Sequence, residues 1–213
     1  MPELVSQDFP LFPLGIVALP GESVPLHIFE DRYRRMVEHC LAAEPDSIER
    51  QFGIIWLSDQ ELKPVGCACE IERVLERMDD GRLNILTRGT RPFRLLARQD
   101  ELPYPAGAVE FLADVEESPD EEAADDARRL YGDLVEQATD RSLDAEELAE
   151  LDAYAMAGTV EFGVEAKQQL LELRSENARL SLLAALLRAA IKRLELVERA
   201  EERARSNGKV RFG

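Results

Sequence analysis

The stretch VGCACEIERVLERMDDGRLNILTRGTRPFRLL, residues 65–96, carries the clearest structural signal in the chain. Two arms, 65–78 and 82–96, flank Asp80-Gly81. An Asp-Gly pair takes up the positive φ values that join two antiparallel strands with the correct twist, so the stretch predicts a β-hairpin. Gly89 and Pro92 predict a bend in the second arm, because glycine permits close backbone approach and proline removes a ladder donor.

Outward from this hairpin the same style continues. Phe9–Leu19 and Val24–Phe29 read as extended segments separated by the turn dipeptide Pro20-Gly21. A helix is predicted next, capped by Asp31, with Tyr33, Met36, Val37, Cys40 and Leu41 on one buried stripe. Phe52–Leu57 and Ala108–Leu112 complete a set of six or so strands with one helix, which predicts a small, partly closed barrel.

The rest of the chain is written differently. All 11 prolines lie at or before Pro119, and the remainder is rich in Ala, Leu, Glu and Arg. Proline is excluded from helix interiors, so its distribution marks the change of architecture. The prediction is an α+β chain: a β-rich unit over 1–116, a four-helix bundle over 117–207 and a tail over 208–213. Ser118-Pro119-Asp120-Glu121 has the spacing of a capping box with proline at the first helical position. A second helix is expected to start at Asp144 with Glu147 and to end at Gly158, and a third to run from Val164 to Leu173. A fourth, from Glu176 to about Arg203, has Leu180, Leu183, Leu187, Ile191 and Leu194 on one face and Leu182 and Leu186 on another, so it is expected to be the spine of the bundle.

The net charge is −17, but it is unevenly placed. Residues 114–152 hold 16 acids and 3 basic residues, while residues 1–113 hold 19 and 12. Helical spacing of alanines and leucines through the acidic block reads as a solvated helix face. No basic face is available to release phosphate counterions, which argues against nucleic acid as a partner. Arg82, Arg88, Arg91, Arg94 and Arg98 crowd one hairpin arm, but with Phe93 as the sole aromatic they read as solvated strand edges. Three cysteines, Cys40, Cys67 and Cys69, in a chain of 213 residues do not form a disulfide framework. The start, Met1–Gln7, has no signal-peptide pattern, and no apolar run approaches the ~20 residues of a spanning helix. The expectation is a cytoplasmic protein with no membrane association.

Catalytic patterns are missing. Gly208-Lys209 is followed by Val210, so there is no P-loop, and neither G-x-G-x-x-G nor G-x-S-x-G occurs. Lys63, Lys167, Lys192 and Lys209 have no serine in a recognisable dyad setting. His39 is placed on the polar side of the first helix, and His27, within Pro25-Leu26-His27-Ile28-Phe29, reads as a satisfied, half-buried side chain. Cys67 and Cys69 share a strand face with Val65 and Ile71 and read as core packing, one pair being too few for zinc. Glu30-Asp31 reads as pinning a strand-to-helix junction. No cofactor, metal or catalytic residue is predicted.

One resemblance fits both halves. Phe9-Pro10-Leu11-Phe12-Pro13-Leu14, Val17-Ala18-Leu19-Pro20-Gly21 and Pro25-Leu26-His27-Ile28-Phe29-Glu30-Asp31-Arg32-Tyr33 resemble the opening of the Lon protease N-terminal, substrate-binding, domain family. The similarity continues through Phe52-Gly53-Ile54-Ile55, Asp80-Gly81-Arg82-Leu83 and Arg91-Pro92-Phe93-Arg94, and into Ala166-Lys167-Gln168-Gln169-Leu170-Leu171-Glu172 with Arg179-Leu180. The resemblance implies a PUA-like pseudo-barrel followed by a helical bundle, and binding of proteins or peptides, including unfolded segments. With Gly213 as the last residue, a stand-alone member lacking the ATPase and peptidase modules is expected, so proteolysis is not carried over. Pro25, His27, Phe29, Glu30, Arg32 and Tyr33 are taken as the fold signature, of which Phe29, Glu30, Arg32 and Tyr33 are expected to hold the fold together rather than form a binding site. The expected function is a non-enzymatic adaptor that buries apolar client side chains at the barrel–bundle junction or adds a client strand to a barrel edge. RNA binding by a PUA-like fold and an unrecognised hydrolase are the alternatives.

Overall fold

The computed structural model describes residues 5–44, 47–59, 61–99, 101–139 and 141–207. The tail predicted over 208–213 lies outside the described residues. Strands β1 (Val5–Leu14), β2 (Ser23–Ile28), β3 (Gln51–Ser58), β4 (Glu61–Leu62), β5 (Val65–Arg77), β6 (Leu83–Gln99) and β7 (Ala106–Phe111) enclose a single helix, α1 (Asp31–Ala42), in sequence order. The helices α2 (Glu121–Thr139), α3 (Ala145–Ala149), α4 (Ala153–Ala157), α5 (Val164–Glu172) and α6 (Glu176–Asn207) follow.

The β5–β6 hairpin forms, with Arg77 opposite Leu83. Its turn is longer than the predicted two residues. Met78 N–H donates to the Arg82 carbonyl at 2.9 Å and Gly81 N–H to the Met78 carbonyl at 2.9 Å, while Gly81 has φ +85°. Asp80 does not share the positive φ, so this is a type I turn closed by a left-handed glycine rather than an Asp-Gly I′ turn. The predicted bend in β6 is a register shift opposite Ala68 and Cys69. There Gly89 exchanges backbone bonds with Gly21 and Glu22.

Closure comes from a pairing far apart in sequence. β1 pairs with β7, β7 with β6, β6 with β5 and β5 with β3, all antiparallel, and β3 returns to β1 in parallel. The ring is closed. β2 lies outside it on β6, and β4 on β3. Every ring strand sends side chains inward: Phe9, Leu11, Ile55, Ala68, Phe93, Val109 and Phe111 form one cluster. Phe9 meets Phe93 and Phe111 edge-on, with ring centroids 5.5 and 5.3 Å apart, the favoured geometry for aromatic quadrupoles.

The outer face of the ring is covered by α1, whose Tyr33, Met36, Val37 and Cys40 are buried as the periodicity predicts. They join Phe12, Phe52 and Ile54 in a second, larger cluster that runs without interruption into Leu130, Leu170, Leu183 and Leu187 of the helices. Cys67 and Cys69 belong to this cluster as free, buried thiols. α6 packs against α2, α4 and α5, and α5 lies on β5.

Three local expectations are corrected. α1 begins at Asp31, with Glu30 at the cap position and no side-chain cap bond; Asp31 pairs with Arg34 instead. α2 begins at Glu121, and Asp120 rather than Ser118 accepts the N–H of Ala123, at 3.0 Å. The helix expected over 144–158 is broken into α3 and α4. Asp144 and Glu147 do form their capping box, but Asp152 caps a new start by accepting from Ala155 N at 2.7 Å. A distant carboxylate, Glu176, accepts the Ala153 N–H at 2.8 Å, so that donor at the break is satisfied.

Arg179 anchors the helices to the end of the barrel. It is 2% exposed, pairs with Asp114 and Glu176, donates to the Leu173 carbonyl at 2.9 Å and lies 4.4 Å over the Tyr154 ring. Burial works against its charge, but the Asp114 and Glu176 carboxylates outweigh it and hold the guanidinium above its ordinary pKa.

Candidate functional site

The predicted signature converges on one concave surface. The end of β1, the strand β2, the start of α1 and residues from β3, β4, β6 and β7 enclose a cleft of about 640 Å³. Pro25, His27, Phe29, Glu30, Arg32 and Tyr33 all line it.

They do not play one role. Tyr33 is buried beneath Phe12, ring centroids 4.1 Å apart, and burial raises its phenol pKa. Phe29 is 61% exposed, so the reading of this residue as one that holds the fold together is corrected. The alternation explains it: Val24 and Ile28 face the core, and the next side chain after Ile28 turns outward. Ile16 and Leu57, 38% and 41% exposed, stand at the same cleft. Glu30 and Arg32 pair with each other at 2.8 Å at the surface.

His27 is exposed rather than half-buried, and it is satisfied. Its Nδ1 lies 2.7 Å from Asn84 Oδ1, and Asn84 Nδ2 donates to Glu76 Oε2 at 2.8 Å. The imidazole stacks against Phe29, with centroids 5.9 Å apart and planes 26° from parallel. A side chain held at both ends of an amide bridge thus supports the exposed phenyl ring.

Residue order alone does not find Ile16, Leu57, Leu62 or Arg98 at this site, since they come from four segments brought together by ring closure. His39 lies elsewhere, bonded at 2.7 Å to Tyr104 Oη. The arginines of the β6 arm are mostly engaged: Arg82 with Asp80, Arg88 with Glu72, Arg94 with Glu110, and Arg91 over the Phe111 ring at 4.0 Å.

Two other concavities bear on the expected binding surface. A groove of about 940 Å³ lies between α2 and α6, lined by Leu134, Val135, Val160, Phe162 and Leu194. The concavity at the barrel–helix junction, about 480 Å³, is rimmed by Asp114, Glu117, Asp120, Glu121, Asp152 and Glu176. Val115, Pro119, Leu151 and Leu180 line it as well, so the junction is an apolar concavity with an acidic rim, and a second cleft lies on the barrel. Among the described residues, no cluster of three or more His, Cys, Asp or Glu could hold a metal ion, and no helix is long and apolar enough to cross a membrane.

The family model for the ATP-dependent protease La (LON) substrate-binding domain matches residues 8–189, spanning both the ring and the helices. The chain belongs to this family. The Lon protease of Paraburkholderia phytofirmans is 30% identical over 158 residues, which cover 67% of this chain and 18% of that protein. The chain thus spans less than a fifth of that relative's length. Among solved structures, a Lon N-terminal domain protein from Xanthomonas campestris superposes with a TM-score of 0.61 at 26% identity, covering 84% of this chain and 98% of that one. The N-terminal domain of Mycobacterium avium complex Lon protease shares the fold, with a TM-score of 0.65 at 22% identity over 85% of this chain and 98% of that one. The mixed α/β architecture is thus that of Lon N-terminal domains, and the family is a substrate-binding one.

Proposed function

We propose that this chain is a non-enzymatic protein-recognition module, acting as an adaptor that buries apolar side chains of exposed or unfolded client segments in the barrel cleft. The observation that carries the reading is the convergence of Ile16, Phe29 and Leu57, three large apolar side chains left exposed at one cleft. Scattered surface apolar residues are ordinary, whereas a cluster at a concavity marks a binding surface. Among the described residues the cleft lining has no serine, threonine or cysteine, and its one carboxylate is paired with Arg32, which supports binding rather than hydrolysis. Pro25 has no N–H to donate from β2, the strand outside the ring, so side-chain burial is favoured over strand addition. A cytoplasmic location is part of the proposal, supported by three free, buried cysteines.

The test is binding of a reduced and alkylated, unfolded model protein, together with an apolar peptide array, to the chain and to its Phe29→Ser variant. Binding that the substitution weakens is expected. No binding to any array member, or binding untouched by the substitution, overturns the reading.

A further inference from the structure

Resting on the cleft as the binding surface, we infer that it selects client segments in which an apolar residue is followed or preceded by an acidic side chain. Among the described residues, the charged side chains lining the cleft are Glu30, Arg32 and Arg98, a net of +1 in a chain whose net charge is −17. Glu30 is already taken by Arg32 at 2.8 Å, with Arg32 Nε donating to the same carboxylate at 2.9 Å. Arg98 is exposed and has no carboxylate partner among the described residues. Its neighbours on the same arm contrast with it: Arg82, Arg88 and Arg94 hold acids at 2.7, 2.7 and 3.3 Å. A guanidinium at the edge of an apolar cleft, with its fork of donors unused, fits a client carboxylate.

The apolar half of the recognition is pre-organised. The Asn84 amide is oriented by its donation to Glu76, so its oxygen faces His27 and accepts from Nδ1–H. The imidazole so fixed stacks on Phe29 and limits the phenyl ring's freedom before any client arrives. Lower ordering entropy on binding follows, and the arginine then discriminates between segments of equal apolarity. A basic segment meets an unpaired cation here and is disfavoured.

Fluorescence anisotropy with three labelled peptides tests this. They share one apolar core, are blocked at both ends, and carry flanking Glu, Gln or Lys. For the unaltered chain the Glu peptide is expected to bind about two- to fivefold more tightly than the Gln peptide, the range of an exposed ion pair, with Lys weakest. Arg98→Gln should remove the ranking and Arg98→Glu should reverse it. Equal affinity for Glu and Gln peptides, or an order unchanged by Arg98→Glu, overturns the acidic preference while leaving the cleft intact. A Gln peptide with a free C-terminus that binds as tightly as the Glu peptide also overturns it, transferring the selectivity to chain ends. If none of the three binds, or Phe29→Ser changes none of them, the cleft reading itself fails.

Discussion

Lys167 and Glu22 are 145 residues apart in sequence and 2.6 Å apart in space. Their side chains are 12% and 14% exposed, so the pair sits in a largely dry seam between α5 and the β1–β2 loop. Glu22 also accepts the Leu19 N–H through its other oxygen, at 3.0 Å, which fixes the loop that it belongs to. One residue on, Gln168 donates to the Val65 carbonyl at 3.0 Å and so ties α5 to β5. The helical motif that carries the family resemblance is thus the part that fastens the helices to the ring.

Breaking this fastening should be felt by the whole fold. Lys167→Met leaves a half-buried carboxylate without its cation and is expected to cost about 1.5–3 kcal/mol, as for a hydrogen bond to a charged group. Urea unfolding of Lys167→Met, Glu22→Gln and the double variant measures it. Strictly additive losses would show that the two residues are not coupled.

The interior of the ring depends on two missing side chains. A Cβ at Gly53 would lie 2.5 Å from the Phe93 ring, and one at Gly66 would lie 2.6 Å from that ring and 2.7 Å from the Ile54 carbonyl. Neither glycine has a positive φ, so their role is room rather than backbone freedom. Gly53→Ala and Gly66→Ala are each expected to destabilise by about 1–3 kcal/mol through overpacking. Adding Phe93→Leu to Gly53→Ala should recover part of the loss in thermal unfolding; a larger loss in the pair than in either single variant speaks against the account.

Neighbouring signature residues should separate under mutation. Phe29→Ser, at an exposed position, is expected to stay within about 0.5 kcal/mol of the unaltered chain. Tyr33→Ala, beneath Phe12, should cost about 3–5 kcal/mol. Comparable melting shifts for the two would contradict the division between cleft and core.

Alkaline pH should weaken the fold through its thiols. Burial pushes Cys40 up to about 12 from an ordinary value of about 9, and burial with the adjacent Cys69 holds Cys67 well above its usual range. The folded state keeps these protons while the unfolded chain releases them. Stability contributed by protonated Cys40 is therefore intact below about pH 9 and declines as pH rises toward 12, with a slope approaching about 1.4 kcal/mol per pH unit. Denaturant titrations of the chain and of Cys40→Ala from pH 7 to 11 test this, the variant losing stability less steeply. Parallel curves would rule the thiol out as the cause.

Much of the architecture is local enough to read. The β5–β6 arms, the stripe of α1 and the proline-free helical region each follow from spacing that neighbouring residues enforce. Caps and breaks were less legible, since Asp120, Ser118, Asp144 and Asp152 are all competent caps and long-range partners choose among them. Asp120 N–H donates to Asn177 Oδ1 at 2.9 Å, and the Ala153 N–H is satisfied by Glu176. The two-residue strand β4 carries too little pattern to be seen, although Leu62 reaches the cleft from it.

Phe29 and Tyr33 show where the division lies. Helical period, which acts over a few residues, turns Tyr33 inward, whereas the outward turn of Phe29, one residue beyond β2, emerges only in the folded chain. Composition and periodicity likewise dictate a β-rich half and a helical half whose first helices carry an excess of acid. Ring closure, the parallel pairing of Leu11–Leu14 with Gly53–Trp56, has no local signature, because loop entropy is lost before its hydrogen bonds form and many partners compete. That pairing brings together the segments that place Ile16, Phe29, Leu57 and Arg98 at one cleft. The elements were legible from local spacing, whereas the exposure of Phe29 and the meeting of these side chains are products of tertiary packing.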